Sequence, residues 1–154
     1  MNLYSYLSTN TAFRLTLKNL TENYCQYRLD FTSASLANWP EGLAASGEYF
    51  QPRKANRAPL VILLHGMGDR SVIPCQLLAK ALLKGGIACL ILYLLVHSSR
   101  LPKAWRTRFP TLSAEQWLQI YQASVIEARQ VIDWASRREE IDRDNIGVLG
   151  ISLG

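Results

Sequence analysis

Beyond residue 60 the chain alternates between short unbroken apolar runs and longer stretches in which apolar residues recur every three or four positions. Residues 60–64, bounded by Pro59 and Gly66, have the pattern of a strand covered on both faces, as strands of a parallel sheet are. A helix is predicted to start near Ser71 to Pro74 and to bury Leu77, Leu78, Ala81 and Leu82, with Lys84 near its negative end and Gly85 and Gly86 placed to stop it. Residues 87–96 read as a second fully buried strand. Ser113 and Gln116 form an S-x-x-Q capping box, in which each side chain satisfies an orphan N–H at a helix start. That helix is expected to run to about Arg138, with Leu118, Tyr121, Val125, Ala128 and Ile132 on its apolar stripe and Gln119, Gln122, Glu127, Arg129 and Gln130 largely outside it. A polar turn over residues 142–145 leads into a strand at 146–150. Strand, helix, strand, helix, strand amounts to two crossovers and predicts an α/β fold, a mostly parallel sheet with helices on both faces.

The first third is less regular. Residues 26–32 alternate as a strand with Tyr27, Leu29 and Phe31 on one face, and residues 47–51 suit another, with Trp39, Pro40, Glu41 and Gly42 as a turn-rich connection. Residues 52–59, with Arg53, Lys54, Asn56 and Arg57, read as a polar loop. The whole chain, 1–154, is expected to form one partial domain, with N-terminal strands and loops over 1–58 and the crossovers over 59–154. No internal repeat is visible.

Composition fits one globular domain: of 154 residues, 49% are hydrophobic and 19% charged, which excludes a disordered or fibrous chain. The formal charge of +5 comes from basic residues interspersed with acids, a solvated surface rather than a nucleic-acid or anionic-membrane site. The one local excess, Arg100, Lys103, Arg106 and Arg108, is read as a solvated loop in preference to a cradle for an acidic substrate. Trp105 and Phe109 beside it are lid or pocket residues, or pack the loop down; Trp117 and Trp134 sit at helical spacing as core or half-buried positions. Three cysteines, Cys25, Cys75 and Cys89, lack metal-ligand spacing and fit a reducing compartment, so a cytoplasmic location is expected; Cys89 reads as core. Residues 1–10 lack the regions of a signal peptide, and the longest apolar run, 87–96, is about half of the ~20 residues a membrane-spanning helix needs. No metal and no organic cofactor is implied.

Two short motifs carry chemistry. Gly150-Ile151-Ser152-Leu153-Gly154 matches G-x-S-x-G, in which a serine stands on a tight strand-to-helix turn whose neighbours two residues away have no room for a side chain. It follows the strand at 146–150, at the C-terminal edge where open parallel sheets place their sites. His65-Gly66-Met67-Gly68-Asp69 follows the first buried strand, and its glycines let the loop bend with its amides inward. Acyl transfer needs two such N–H donors aimed at one developing oxyanion.

Taken together, strand-His65-Gly66-x-Gly68, helix, strand, helix, strand, Gly150-x-Ser152-x-Gly154 resembles the α/β-hydrolase superfamily, and residues 142–154 look most like its dienelactone-hydrolase and prolyl-oligopeptidase-related branch. The resemblance covers about Gly47 to Gly154 and implies the N-terminal part of such a fold. It implies a serine hydrolase of small-molecule carboxylic esters, with Ser152 as the nucleophile that forms an acyl-enzyme and the backbone amides of Met67 and Leu153 as the oxyanion hole. The family order places the acid and the histidine after the serine, hence beyond residue 154; His65 and His97 precede it. His65 is expected to support the oxyanion loop, and a catalytic role for His97, at the end of the second strand, is disfavoured. Asp69 organises that loop or caps the next helix.

Two rival readings are weaker. A nucleotide site built on Gly66-x-Gly68 lacks the third glycine, where Ser71 stands, and lacks an acid between Asp69 and Glu115. A P-loop lacks its Gly-Lys-Ser/Thr. A non-catalytic hydrolase-like piece is the remaining alternative: without a general base a serine hydroxyl is a poor nucleophile, and the Gly154 carboxylate would oppose an oxyanion. Residues 1–154 alone are therefore expected to show no turnover and, with residues 146–152 as an exposed apolar edge, to associate. Acyl group, leaving group, lid and oligomeric state are not encoded in any motif present.

Overall fold

A computed structural model describes residues 4–6, 11–35, 44–101, 106 and 111–154. Expectations for Trp39, Pro40, Glu41, Gly42, Lys103, Trp105, Arg108 and Phe109, and for the Asp69 side chain, fall outside the described residues.

Six strands, β1 (Arg14–Leu20), β2 (Tyr24–Thr32), β3 (Ala44–Pro52), β4 (Ala58–Leu64), β5 (Ala88–Tyr93) and β6 (Ile141–Gly150), form one sheet in the order β1-β2-β3-β5-β4-β6. β1, β2, β3 and β5 pair antiparallel, while β5 with β4 and β4 with β6 are parallel. The helices α1 (Val72–Lys84) and α2 (Ala114–Ala135) supply the crossovers. The period-2 alternation of β5 sorts its side chains to two cores: Ala88, Leu90 and Leu92 join Leu60, Ile62, Ile120, Val131 and Trp134, whereas Cys89 and Ile91 join Leu63, Val72, Cys75 and Ala79. Both faces of β4 and β5 are thus covered by helix, which is why these strands lack a polar side, whereas most of β6 is exposed. No helix among the described residues is long and apolar enough to cross a membrane.

Several expectations are corrected. β1 was not anticipated; its apolar residues Leu17 and Leu20 are exposed, so the burial signal that marks a strand is weak there. In α1 the face against the sheet is Val72, Cys75 and Ala79, with Leu78 and Leu82 half-buried, whereas Leu77 is 64% exposed and Ala81 is exposed too. Small side chains let the helix lie close to the sheet, and Leu77 is turned away. In α2 the expected stripe holds only in part: Ala128 is buried and Ile132 half-buried against the core, but Leu118 (50% exposed), Tyr121 and Val125 face outward, and Ile120, Ala123, Glu127, Val131 and Trp134 face inward. Glu127 and Gln130, expected outside, are buried because each finds partners: Gln130 accepts from the Ala34 N–H at 2.9 Å and donates to the Thr32 carbonyl at 3.1 Å. The capping box at Ser113 and Gln116 is present with both bonds.

The second buried strand ends at Tyr93, and residues 94–96 turn while remaining buried. Residues 142–145, expected as a turn before the strand, lie inside β6 as an irregularity: Ala58 pairs with Ile141 and Leu60 with Ile146. Turn chemistry persists there, with Asn145 Nδ2 donating to Asp142 Oδ2 at 2.8 Å and the Asp144 N–H to Oδ1 at 3.3 Å. These bonds hold the Asp142 carboxyl below its ordinary range.

Candidate active site

Leu64 of β4 and Gly150 of β6 are partners in the parallel register, so the two motif-bearing loops leave neighbouring strands at the same level. The Ile151 N–H continues the ladder by donating to the Leu64 carbonyl at 3.0 Å, and the Gly154 N–H donates back to the Ile151 carbonyl at 3.2 Å, closing a tight turn. Ser152 sits at its apex with φ +59°, the left-handed region that side chains avoid. The flanking glycines are demanded by contact: a Cβ on Gly150 would stand 2.1 Å from the Gly154 oxygen, and one on Gly154 2.2 Å from the Leu64 oxygen. Gly66 is the third close approach. A Cβ there would stand 3.1 Å from Ser152 Cβ and 3.6 Å from its Oγ.

The loop after β4 is held from beneath by His65, which is fully buried. Its Nε2 accepts the Leu94 N–H at 3.0 Å, so the proton resides on Nδ1, which donates to the Gly66 carbonyl at 2.7 Å, with the Ser71 hydroxyl 3.0 Å away. Ser71 Oγ also reaches the Gly66 carbonyl at 2.7 Å and the Gly68 carbonyl. With the Gly66 C=O directed at His65 and Ser71, the N–H of the same planar trans peptide, that of Met67, is directed the other way. Among the described residues no acceptor takes the N–H of Met67 or of Leu153. Gly68 has φ +82°, which lets the loop turn into the short 3-10 segment Asp69–Ser71.

His65 therefore occupies the supporting position expected of it. His97 lies in the turn after β5, stacked on Tyr93 with ring centroids 4.9 Å apart, and its Nδ1 is 2.7 Å from Ser99 Oγ. Ser152 Oγ has no hydrogen-bond partner among the described residues. Tyr93 donates to Glu48 at 2.6 Å; burial, then that carboxylate, push its phenol well above the ordinary range and keep it protonated.

Arg100 corrects the reading of a solvated basic loop. It is buried, and its guanidinium binds Glu127 through two bonds of 2.6 and 2.8 Å, with further donation to the Tyr93 carbonyl (2.6 Å) and the Ala44 carbonyl (3.1 Å). The loop after β5 is thereby tied to α2 and β3, and with it the Leu94 amide that His65 receives. Sequence reasoning missed this pair; the signal was Glu127 lying on the Ile120–Ala123–Val131–Trp134 stripe. Arg106 is exposed and, with Met67, Arg70, Val96, Ser98 and Leu101, borders a cavity of about 460 Å³ beside the loop.

The family model described as alpha/beta hydrolase domain containing 18 matches residues 9–154. The chain belongs to that family. No curated protein matches it by sequence. Among solved structures, acetyl xylan esterase 1 from Thermoanaerobacterium sp. JW/SL YS485 is similar with a TM-score of 0.69 at 14% identity, over 99% of this chain and 48% of that one. The acetyl xylan esterase from Paenibacillus sp. R4 gives 0.63 at 19% identity over 91% and 45%. The glucuronoyl esterase from Solibacter usitatus gives 0.60 at 10% over 92% and 46%. At these identities the likeness is one of fold, and the chain spans about half the length of these neighbours.

Proposed function

We propose that the hydrolase this chain belongs to is a serine esterase, with Ser152 as nucleophile and the Met67 and Leu153 amides as its oxyanion hole. The observation that carries this reading is the placement of Ser152 at positive φ on the turn after β6, in contact distance of the Gly66 loop. In the reaction Ser152 Oγ attacks the ester carbonyl carbon and the carbonyl oxygen becomes an oxyanion facing the two amides. Collapse of the tetrahedral adduct expels the alcohol and leaves an acyl-serine, which water then hydrolyses. The esterases that share the fold favour a small acyl group on an alcohol as the substrate class.

The general base is proposed to come from chain beyond Gly154, with an acidic partner, in the order usual for this fold. His65 is unsuited: both its ring nitrogens are committed to the loop it supports. On this reading residues 1–154 alone hydrolyse nothing.

The test is covalent labelling with a fluorophosphonate probe alongside hydrolysis of p-nitrophenyl acetate. The full-length protein is expected to be labelled at Ser152 and to lose both labelling and turnover as S152A, while residues 1–154 alone stay unlabelled. Full turnover by S152A, or a probe adduct on another residue, would overturn the assignment.

A further inference from the structure

At the opposite edge of the sheet, where β4 and β5 begin, lies a cavity of about 580 Å³. That size falls within the range of roughly 300–1,000 Å³ in which small-molecule sites occur. Its walls come from three separate elements: Tyr24 of β2, Pro52 and Lys54 at the end of β3 and just beyond, and Lys80, Leu83 and Lys84 of α1. Tyr24, Pro52 and Leu83 make it apolar, and the stems of the three lysines extend that surface before ending in charge. No Asp or Glu is among the described residues that line it.

The usual employment of such lysines does not account for them. None of the three forms an ion pair among the described residues. Two of the last carbonyls of α1 are already taken by backbone, since the Gly85 N–H donates to Leu82 and the Gly86 N–H to Leu83, and the Ile87 N–H also donates to Leu82. Lys54 is not on the helix at all. Three ammonium groups thus border one apolar cavity with no carboxylate among its described lining residues to offset their repulsion, and an anion between them removes that repulsion. Lysine presents a rotatable point charge rather than a planar fork, which suits a single carboxylate head of loose orientation.

We propose that this cavity is a second ligand site, separate from Ser152, that binds an amphipathic organic carboxylate, its head among Lys54, Lys80 and Lys84 and its apolar body against Tyr24, Pro52 and Leu83. Neither charge nor apolar surface alone is sufficient, so a short carboxylate and an uncharged alcohol of equal chain length are both weaker ligands.

The experiment uses the full-length protein with its lysines reductively ¹³C-methylated, titrated with decanoate below its micellar concentration, with acetate and with 1-decanol. Decanoate is expected to shift the signals of Lys54, Lys80 and Lys84 saturably, acetate and decanol far less. K80Q/K84Q, exposed positions whose substitution leaves the thermal midpoint near that of the parent, should weaken decanoate binding by about tenfold, the sum of two modest exposed charge interactions. A55W, which fills the cavity and keeps the lysines, should abolish it. Decanoate binding that leaves these three signals unmoved, an equal response to acetate or decanol, or an unchanged affinity in K80Q/K84Q overturns the proposal. All of these readouts are independent of esterase activity and survive the failure of the Ser152 assignment.

Discussion

Gly66 abuts Ser152: a methyl group on Gly66 would stand 3.1 Å from Ser152 Cβ and 3.2 Å from the Ile151 oxygen. The loop that carries the Met67 amide and the turn that carries the hydroxyl are therefore in direct contact, and neither can shift without moving the other. G66A is expected to fold, because the overlap is a few tenths of an ångström, but to displace Ser152 from the loop amide. Esterase kcat/KM of the full-length protein should fall by about tenfold to a hundredfold, the usual consequence of misplacing a reacting group by a fraction of an ångström to one ångström. Unchanged kinetics in a normally folded G66A would break the link between contact and catalysis.

Arg100 and Glu127 should show strong coupling. Removing one partner, as in R100M or E127L, leaves a buried charge without its counter-ion and is expected to cost about 3–5 kcal/mol. The double variant R100M/E127L removes both charges and should cost clearly less than the sum, its residue arising from the Tyr93 and Ala44 carbonyls that lose a donor. Denaturant unfolding of the four proteins measures this, and additive losses would show that the pair is not coupled.

Tyr49 presents the reverse case. Its ring is fully buried, edge-on to Trp134 at 5.5 Å, yet its hydroxyl has no hydrogen-bond partner among the described residues. Y49F removes an unsatisfied polar atom and keeps the packing, so it should be neutral or stabilise by about 1 kcal/mol. A thermal midpoint several degrees lower would mean that the hydroxyl is satisfied in solution.

Alkaline pH should destabilise the fold. Burial pushes the Cys89 thiol from an ordinary 9.0 up to about 12, and the Tyr93 phenol is raised as well. A group whose acid form is favoured by folding contributes stability in full below its unfolded value and loses it as pH climbs towards the folded one. Unfolding free energy is thus expected to decline between about pH 9 and 12, with a shallower slope in C89A. Cys89 should also stay unreactive towards Ellman's reagent at pH 8 until the protein is unfolded. Rapid modification in the native state would contradict its burial.

The elements that could be read from the chain were those whose signal is local. The runs at Leu60 and Ile87 are apolar without interruption because both faces of the sheet are covered, and that pattern survives in any arrangement that buries them. The capping box at Ser113 is equally local, and so is the demand for Gly150, whose side chain would meet Gly154, whereas the demand for Gly154 comes from Leu64 on the neighbouring strand. β1 escaped notice because its leucines alternate weakly and two of them face outward.

Periodicity established that each helix has an apolar side, but α2 carries two overlapping stripes, and only the sheet beneath it selected Ile120, Ala123, Val131 and Trp134 over Leu118, Tyr121 and Val125. Glu127 looked like surface because a charge is costly to bury alone; its partner Arg100 stands 27 residues away in sequence and becomes adjacent only when β5 and α2 are packed together. The same holds for the meeting of Gly66 with Ser152, and for the three lysines at the far edge. Local composition determined which segments form strands, helices and tight turns, whereas the neighbours that decide a residue's burial, pairing and chemistry were brought in by tertiary packing across separations no local pattern encodes.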